Sequence, residues 1–201
     1  MMVIRPIRAA DFPALYEMAV ESGHGFTSLP VNDELLQRKI NRSEHSFQKS
    51  VNKPGDEGYL FVLEDTDTGA ICGTSAIEAA VGLEDAFYNY HLGKVVHTSR
   101  ALGVYNTVDI LTLCNDYTGA TELCTLFLRE HRREKNNGRM LSRFRFLFMA
   151  EFRERFSDLV IAEMRGLLVL RSHCDLAISL GFLLDQANAL QSLHPNAIGR
   201  Q

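Results

Sequence analysis

Residues 122–156 read ELCTLFLREHRREKNNGRMLSRFRFLFMAEFRERF, and three textures follow one another: a short apolar run, a charged turn and a long periodic segment. Leu123–Leu128 is continuous, apolar and short, the pattern of a strand buried on both faces. From Gly138 onward Met140, Leu141, Phe144, Leu147, Phe148 and Phe152 recur at the spacing of one helical face. Leu159–Ala162 is a second short apolar run. Strand, helix and strand make a β-α-β unit with parallel strands. The expected fold class is therefore α/β with a mixed sheet.

The turn Arg133–Gly138 is where chemistry is expected. Asn136, Asn137 and Gly138 are the residue types that take the positive φ angles needed to aim successive N–H groups inward. The helix that follows adds its positive dipole end. Arg132, Arg133, Lys135, Arg139 and Arg143 supply side-chain charge suited to a diphosphate. No G-K-[ST] follows the glycine and no G-x-G-x-x-G is present, which excludes the common nucleotide loops. A solvated basic loop capping a core helix is the other reading of the same six residues. The turn resembles the R-x-x-G-x-G signature of the GNAT acyltransferases, in which backbone amides hold the pyrophosphate of an acyl-CoA. Asn136 stands where that signature has its first glycine.

Outward from this unit, 201 residues with 46% hydrophobic and 23% charged content suit one soluble globular domain. A net charge of −4 and a pI near 6.0 argue against a general nucleic-acid binder. The local basic cluster suits a small anionic cofactor. Cys72, Cys114, Cys124 and Cys174 form no C-x-x-C pair, and the N-terminus shows no apolar signal region. Free thiols and a cytoplasmic location are expected, with Cys72 and Cys124 buried and inert, and with no metal site and no membrane span.

In chain order, Met2–Ile7 alternates as a strand, and Asp11 is expected to cap a helix carrying Pro13 in its first turn. Ser22-Gly23-His24-Gly25 ends it. Asn32 is expected to cap a second helix, with Leu35, Leu36, Ile40 and Phe47 facing inward. Tyr59–Glu64 and Ala70–Ile77 read as a hairpin turned by Asp65-Thr66-Asp67-Thr68-Gly69. Glu78–Gly119 reads as irregular strands and loops.

The order strand, two helices, hairpin, strand, helix, strand is also that of the GNAT fold. The runs MMVIRPIRAAD, GFTSLPVN, YLFVLEDTDTGAICGTSAIEAAVG, FYNYHLGKVVHTSRALGVYN, NDYTGATELCTLFL and LSRFRFLFMAEFRERF resemble the arginine N-succinyltransferases of bacterial arginine catabolism over about residues 1–166. The resemblance implies transfer of the succinyl group of succinyl-CoA to the α-amino group of L-arginine, with ornithine as another possible amine. It implies that the strand Cys124–Leu128 splays from its neighbour and leaves backbone groups free for the pantetheine arm. Leu126 matches the family's succinyl-CoA-binding position, where a backbone N–H can polarise the thioester oxygen. The cofactor-binding residues expected are Leu126, Leu128, Arg133, Lys135, Asn136, Asn137, Gly138 and Arg139.

The family's proton donor is a histidine in the second half of the protein, which has no counterpart among these 201 residues. His97 and His91 are the catalytic candidates left, although isolated histidines more often serve as surface or core residues. Glu163 could orient a guanidinium, and Tyr88, Tyr90 and Tyr105 read as packing aromatics. Residues 167–201 match nothing in the family and read as a helical tail striped by Leu176, Leu180, Leu183, Ala187 and Leu190. The expected division is a GNAT-like domain over 1–166 and an atypical tail over 167–201. A reading-frame shift or truncation would account for the change, and the alternative function is a non-catalytic CoA-binding remnant or partner subunit. A sheet lacking later strands would expose an edge, so a homo-oligomer is expected.

Overall fold

Met2–Pro6 (β1) pairs antiparallel with Gly58–Asp65 (β2), and β2 in turn with Ala70–Glu78 (β3). Thr121–Leu128 (β6) then lies antiparallel to β3, and Val160–Ile161 (β7) parallel to β6. The five-stranded sheet has the order β1-β2-β3-β6-β7. These elements come from a computed structural model that describes residues 1–23, 26–134 and 136–163. The mixed sheet with its one parallel crossover is the expected fold class. The described residues fall into two compact units, one made of Met1–Glu84 with the part of Gly119–Arg165 that is described, the other of Asp85–Thr118. The tail expected over 167–201 lies outside the described residues, as does Cys174.

In the first unit, alternation along β2 and β3 divides the core. Leu60, Val62 and Ala76 pack with Leu15, Met18 and Ala19 of the helix Phe12–Ser22 (α1) and with Leu36 and Ile40 of Asp33–Gln48 (α2). Tyr59, Phe61 and Ile77 point the other way, to Phe144 and Phe148 of Asn137–Glu151 (α3) and to Phe152 just beyond it. A period of two thus sets one helix layer on each face. Phe47, Phe144 and Phe148 all meet the Phe61 ring edge to face, with centroids 5.3, 4.5 and 5.0 Å away.

Asn32 caps α2 as expected, its side chain accepting from Leu35 N–H at 2.9 Å, and Gly23 ends α1 with a φ of 72°. Three details differ. Asp11 holds the N-cap position of α1, but its carboxylate turns back to accept from Arg8 N–H and the Arg5 fork, because Arg5 on β1 offers two parallel donors at 2.7 and 2.8 Å. Leu35 and Leu147, both expected inside, are 39% and 74% exposed. Each lies at the margin of a helical stripe whose centre is Leu36 and Ile40 in α2 and Phe144 and Phe148 in α3.

The second unit overturns the expectation of irregular structure. Asn89–Ser99 (β4) and Val104–Cys114 (β5) form an unbroken hairpin, in register from Asn89↔Cys114 to Ser99↔Val104. Both strands are largely exposed, so no period-two burial pattern marks them in the sequence. β-branched residues such as Val95, Val96, Thr107, Val108 and Ile110 favour the extended backbone instead.

Phe61 is 2% exposed at the centre of the aromatic cluster. Phe61→Ala is expected to cost about 3–5 kcal/mol in urea unfolding. A loss below about 1 kcal/mol would contradict this placement of the core.

Candidate functional site

The site begins with a fault in a ladder. Along the β3–β6 pair Thr74 faces Phe127, but Ala76 faces Cys124, so two residues of β6, Thr125 and Leu126, stand against the single Ser75. Thr125 has a φ of 51°. A β-branched residue in that region carries on the order of 1–3 kcal/mol of strain. Such a bulge bends its strand and re-aims the next residue. Leu126 is accordingly 41% exposed within an otherwise covered strand.

The other side of β6 is open as well. β7 pairs only at Thr121↔Val160 and Glu122↔Ile161, so Leu123–Leu128 have no ladder partner on that side among the described residues. Gly73 lets β3 approach β6 closely on the other side, since a Cβ there would stand 2.7 Å from Phe127 O.

Beside the bulge lies a cleft of about 410 Å³ lined by Leu126, Phe127, Leu128, Arg133, Glu134, Gly138 and Arg139. Five of the eight expected cofactor-binding residues meet here. Asn136 is exposed and Asn137 is buried, neither of them in the lining, and Lys135 lies outside the described residues. Arg133 donates from Nε to Leu128 O at 3.1 Å, which leaves the rest of its fork at the cleft. Met140 N–H bonds Asn136 O at 2.8 Å, so Gly138 and Arg139 belong to the first turn of α3, ahead of its ladder. The positive end of that helix therefore lies at the cleft.

The turn is built differently from the expected nest. Asn136 has φ −111° and ψ 14°, outside the left-handed region. A 3-10 turn at Glu130–Arg132 and a bond from Asn137 Nδ2 to Arg132 O (3.1 Å) tighten the chain, so it enters α3 with ordinary angles. The positive φ occurs in the strand, at Thr125.

Charges sort themselves by partner. Arg129 pairs with Glu17 and Glu21, at 2.7 and 3.0 Å, and Arg132 with Asp65 at 3.1 Å. Arg133 and Arg139, which line the cleft, have no ion-pair partner among the described residues. His91 and His97 are exposed on β4, in the second unit. Tyr88, Tyr90 and Tyr105 are also exposed rather than packed. Burial pushes the Cys124 thiol up to about 12, which keeps it inert as expected.

Sequence reasoning missed Glu122. It sits on β6 opposite Glu78, whose own charge is held by Arg42 at 2.6 Å and Lys39 at 3.9 Å. Burial, and then the charges of Glu163 and Glu78, push the Glu122 carboxyl up to about 7. The clue in the sequence was a lone carboxylate heading an apolar strand.

The family model described as "Arginine N-succinyltransferase beta subunit" matches residues 2–176. The chain belongs to the arginine N-succinyltransferase family. The match runs past the limit of about residue 166 expected from the quoted runs. An Escherichia coli arginine N-succinyltransferase is 50% identical over 168 residues, which is 84% of this chain and 48% of that protein. The solved arginine/ornithine succinyltransferase subunit AI of Pseudomonas aeruginosa superposes with a TM-score of 0.78 at 41% identity, covering 83% of this chain and 50% of that one. The chain thus spans about half the length of the curated relatives it matches. Among the described residues no helix is long and apolar enough to cross a membrane.

A carboxyl with a raised folded-state pKa binds its proton more tightly when folded, so stability falls as pH rises from about 4.5 to about 7. Glu122→Gln removes that loss. The variant is expected to gain up to about 3 kcal/mol on the wild type at pH 8 relative to pH 4 in denaturant titrations. Parallel stability curves at the two pH values would contradict the raised pKa.

Proposed function

We propose that this chain binds succinyl-CoA along β6 and transfers its succinyl group to the α-amino group of L-arginine. The observation that carries the reading is the bulge at Thr125 standing beside a basic cleft at the head of α3. Membership of the arginine N-succinyltransferase family supports a succinyl donor and arginine as the amine. Arg133, Arg139 and the first turn of α3 suit the cofactor's diphosphate. The open backbone of Leu126 and Leu128 suits the amides of the pantetheine arm.

The amine attacks the thioester carbon, and negative charge grows on the carbonyl oxygen. The Leu126 N–H, turned out of the ladder by the bulge, donates to that oxygen. Arginine arrives as an ammonium, so a base must take a proton before attack. Glu122 fits that role, because a carboxyl titrating near neutrality both accepts a proton and releases it to solvent. The tetrahedral intermediate then expels the CoA thiolate as its nitrogen gives its second proton to Glu122, which has by then released the first to solvent. The P. aeruginosa relative is described as acting on arginine and ornithine, so both amines belong in the assay.

Thiol release from succinyl-CoA is expected to depend on added arginine. Removing both cleft arginines, Arg133→Ala with Arg139→Ala, should raise the KM for succinyl-CoA at least about tenfold with a smaller change in kcat. Glu122→Gln should lower kcat about 10²-fold or more and abolish the acid limb of its pH profile. Release that is independent of any amine would overturn the assignment.

A further inference from the structure

Arg145, on α3, is a cation buried without an anion. It is 4% exposed, and no carboxylate pairs with it among the described residues. Its bonds go to neutral acceptors: Nε to Ser142 O at 3.1 Å, Nη2 to Ser142 Oγ at 3.3 Å, and Nη1 to Cys124 O at 3.3 Å. A guanidinium has five N–H donors, so each terminal nitrogen keeps one in reserve. Taking such a charge out of water is unfavourable unless a counter-ion restores it. Burial accordingly lowers its pKa.

The Nη1 contact places the fork at the bulge, on the carbonyl just before Thr125. Two more polar groups there lack partners. Among the described residues the hydroxyls of Ser75 and Thr125, on residues 0% and 2% exposed, have no nitrogen or oxygen partner, and the Thr125 hydroxyl has only the weak Cys124 thiol beside it. A guanidinium with two N–H donors to spare and two hydroxyls thus lie around one bulge. The chemistry they ask for is an anion with two oxygens.

The proposed acyl donor carries one. With the thioester oxygen on Leu126 N–H, one residue beyond Thr125, the distal carboxylate of a succinyl group lies three C–C bonds from the thioester carbon, about 4 Å. We infer that Arg145, with Ser75 and Thr125, receives the free carboxylate of the acyl group and thereby sets a preference for a dicarboxylic acyl donor. This rests on the CoA-binding reading above and adds to it a residue that selects the acyl chain. A monocarboxylic acyl group would leave the cation buried and unpaired, so discrimination comes from the unpaired charge as much as from the paired one.

The test titrates the chain with succinyl-CoA, acetyl-CoA and CoA by calorimetry. Succinyl-CoA is expected to bind at least about tenfold more tightly than acetyl-CoA. Arg145→Met should bring the two within about threefold by weakening succinyl-CoA, and circular dichroism checks that the variant is folded. Ser75→Ala removes a hydroxyl and no charge, so it covers the case in which loss of Arg145 unfolds the chain, and it should narrow the preference by about threefold. Equal affinities in the wild type, or a preference unchanged in a folded Arg145→Met or in Ser75→Ala, would overturn this inference alone. Failure of all three ligands to bind would instead sink the CoA-binding reading, and this inference with it.

Discussion

Among the described residues β6 does not satisfy its backbone on both sides, and the rest of the site depends on that. On the β3 side an extra residue breaks the ladder at Ser75, and on the β7 side pairing stops at Glu122. Among the described residues the edge of Leu123–Leu128 away from β3 therefore carries N–H and C=O groups without ladder partners. The two helix layers fix the strand from both faces, with Cys124 and Phe127 in the α1–α2 core and Leu123 in the α3 core. A strained, exposed segment is thus held rigidly, which is the condition for a backbone donor to keep its aim while charge develops nearby.

Electrostatics follow the same division. Arg129 and Arg132 tie the loop after β6 to α1 and to the β2–β3 turn, so they position the cleft without serving as its charge. Arg133 and Arg139 face it. Two ionisable groups stand apart from this surface logic: Glu122, whose proton is held by burial and by neighbouring carboxylates, and Arg145, whose charge has no carboxylate partner among the described residues. Each is unfavourable for the empty protein. Each becomes reasonable when an ammonium donor and an anionic acyl group occupy the space beside β6.

Much of this was legible in the sequence. The apolar run Leu123–Leu128, the Asp-Thr-Gly turn and the phenylalanine stripe of α3 specify strand, hairpin and helix by period and turn chemistry. The cleft residues were legible because basic side chains crowd the entry to α3. The bulge was not. Thr125 is a good strand residue by type, and its positive φ arises only when β3 and β6 pair out of step around Ser75. Asn136 misled for the opposite reason, since its type permits a left-handed angle that the 3-10 turn makes unnecessary. Arg145 hides within a helical stripe four residues after Leu141, where a charge reads as a margin until the packing shows it inside. The β4–β5 hairpin, exposed on both faces, leaves no burial rhythm to read.

The central claim is that the residue after the bulge offers its amide to a thioester. A crystal structure of the chain with a non-hydrolysable succinyl-CoA analogue addresses it directly. The account expects the diphosphate against Arg133, Arg139 and the start of α3, with the carbonyl oxygen of the analogue within hydrogen-bonding distance of Leu126 N–H. Density for the analogue elsewhere, or a β6 that closes its ladder with Leu126 N–H bonded to protein, would contradict it.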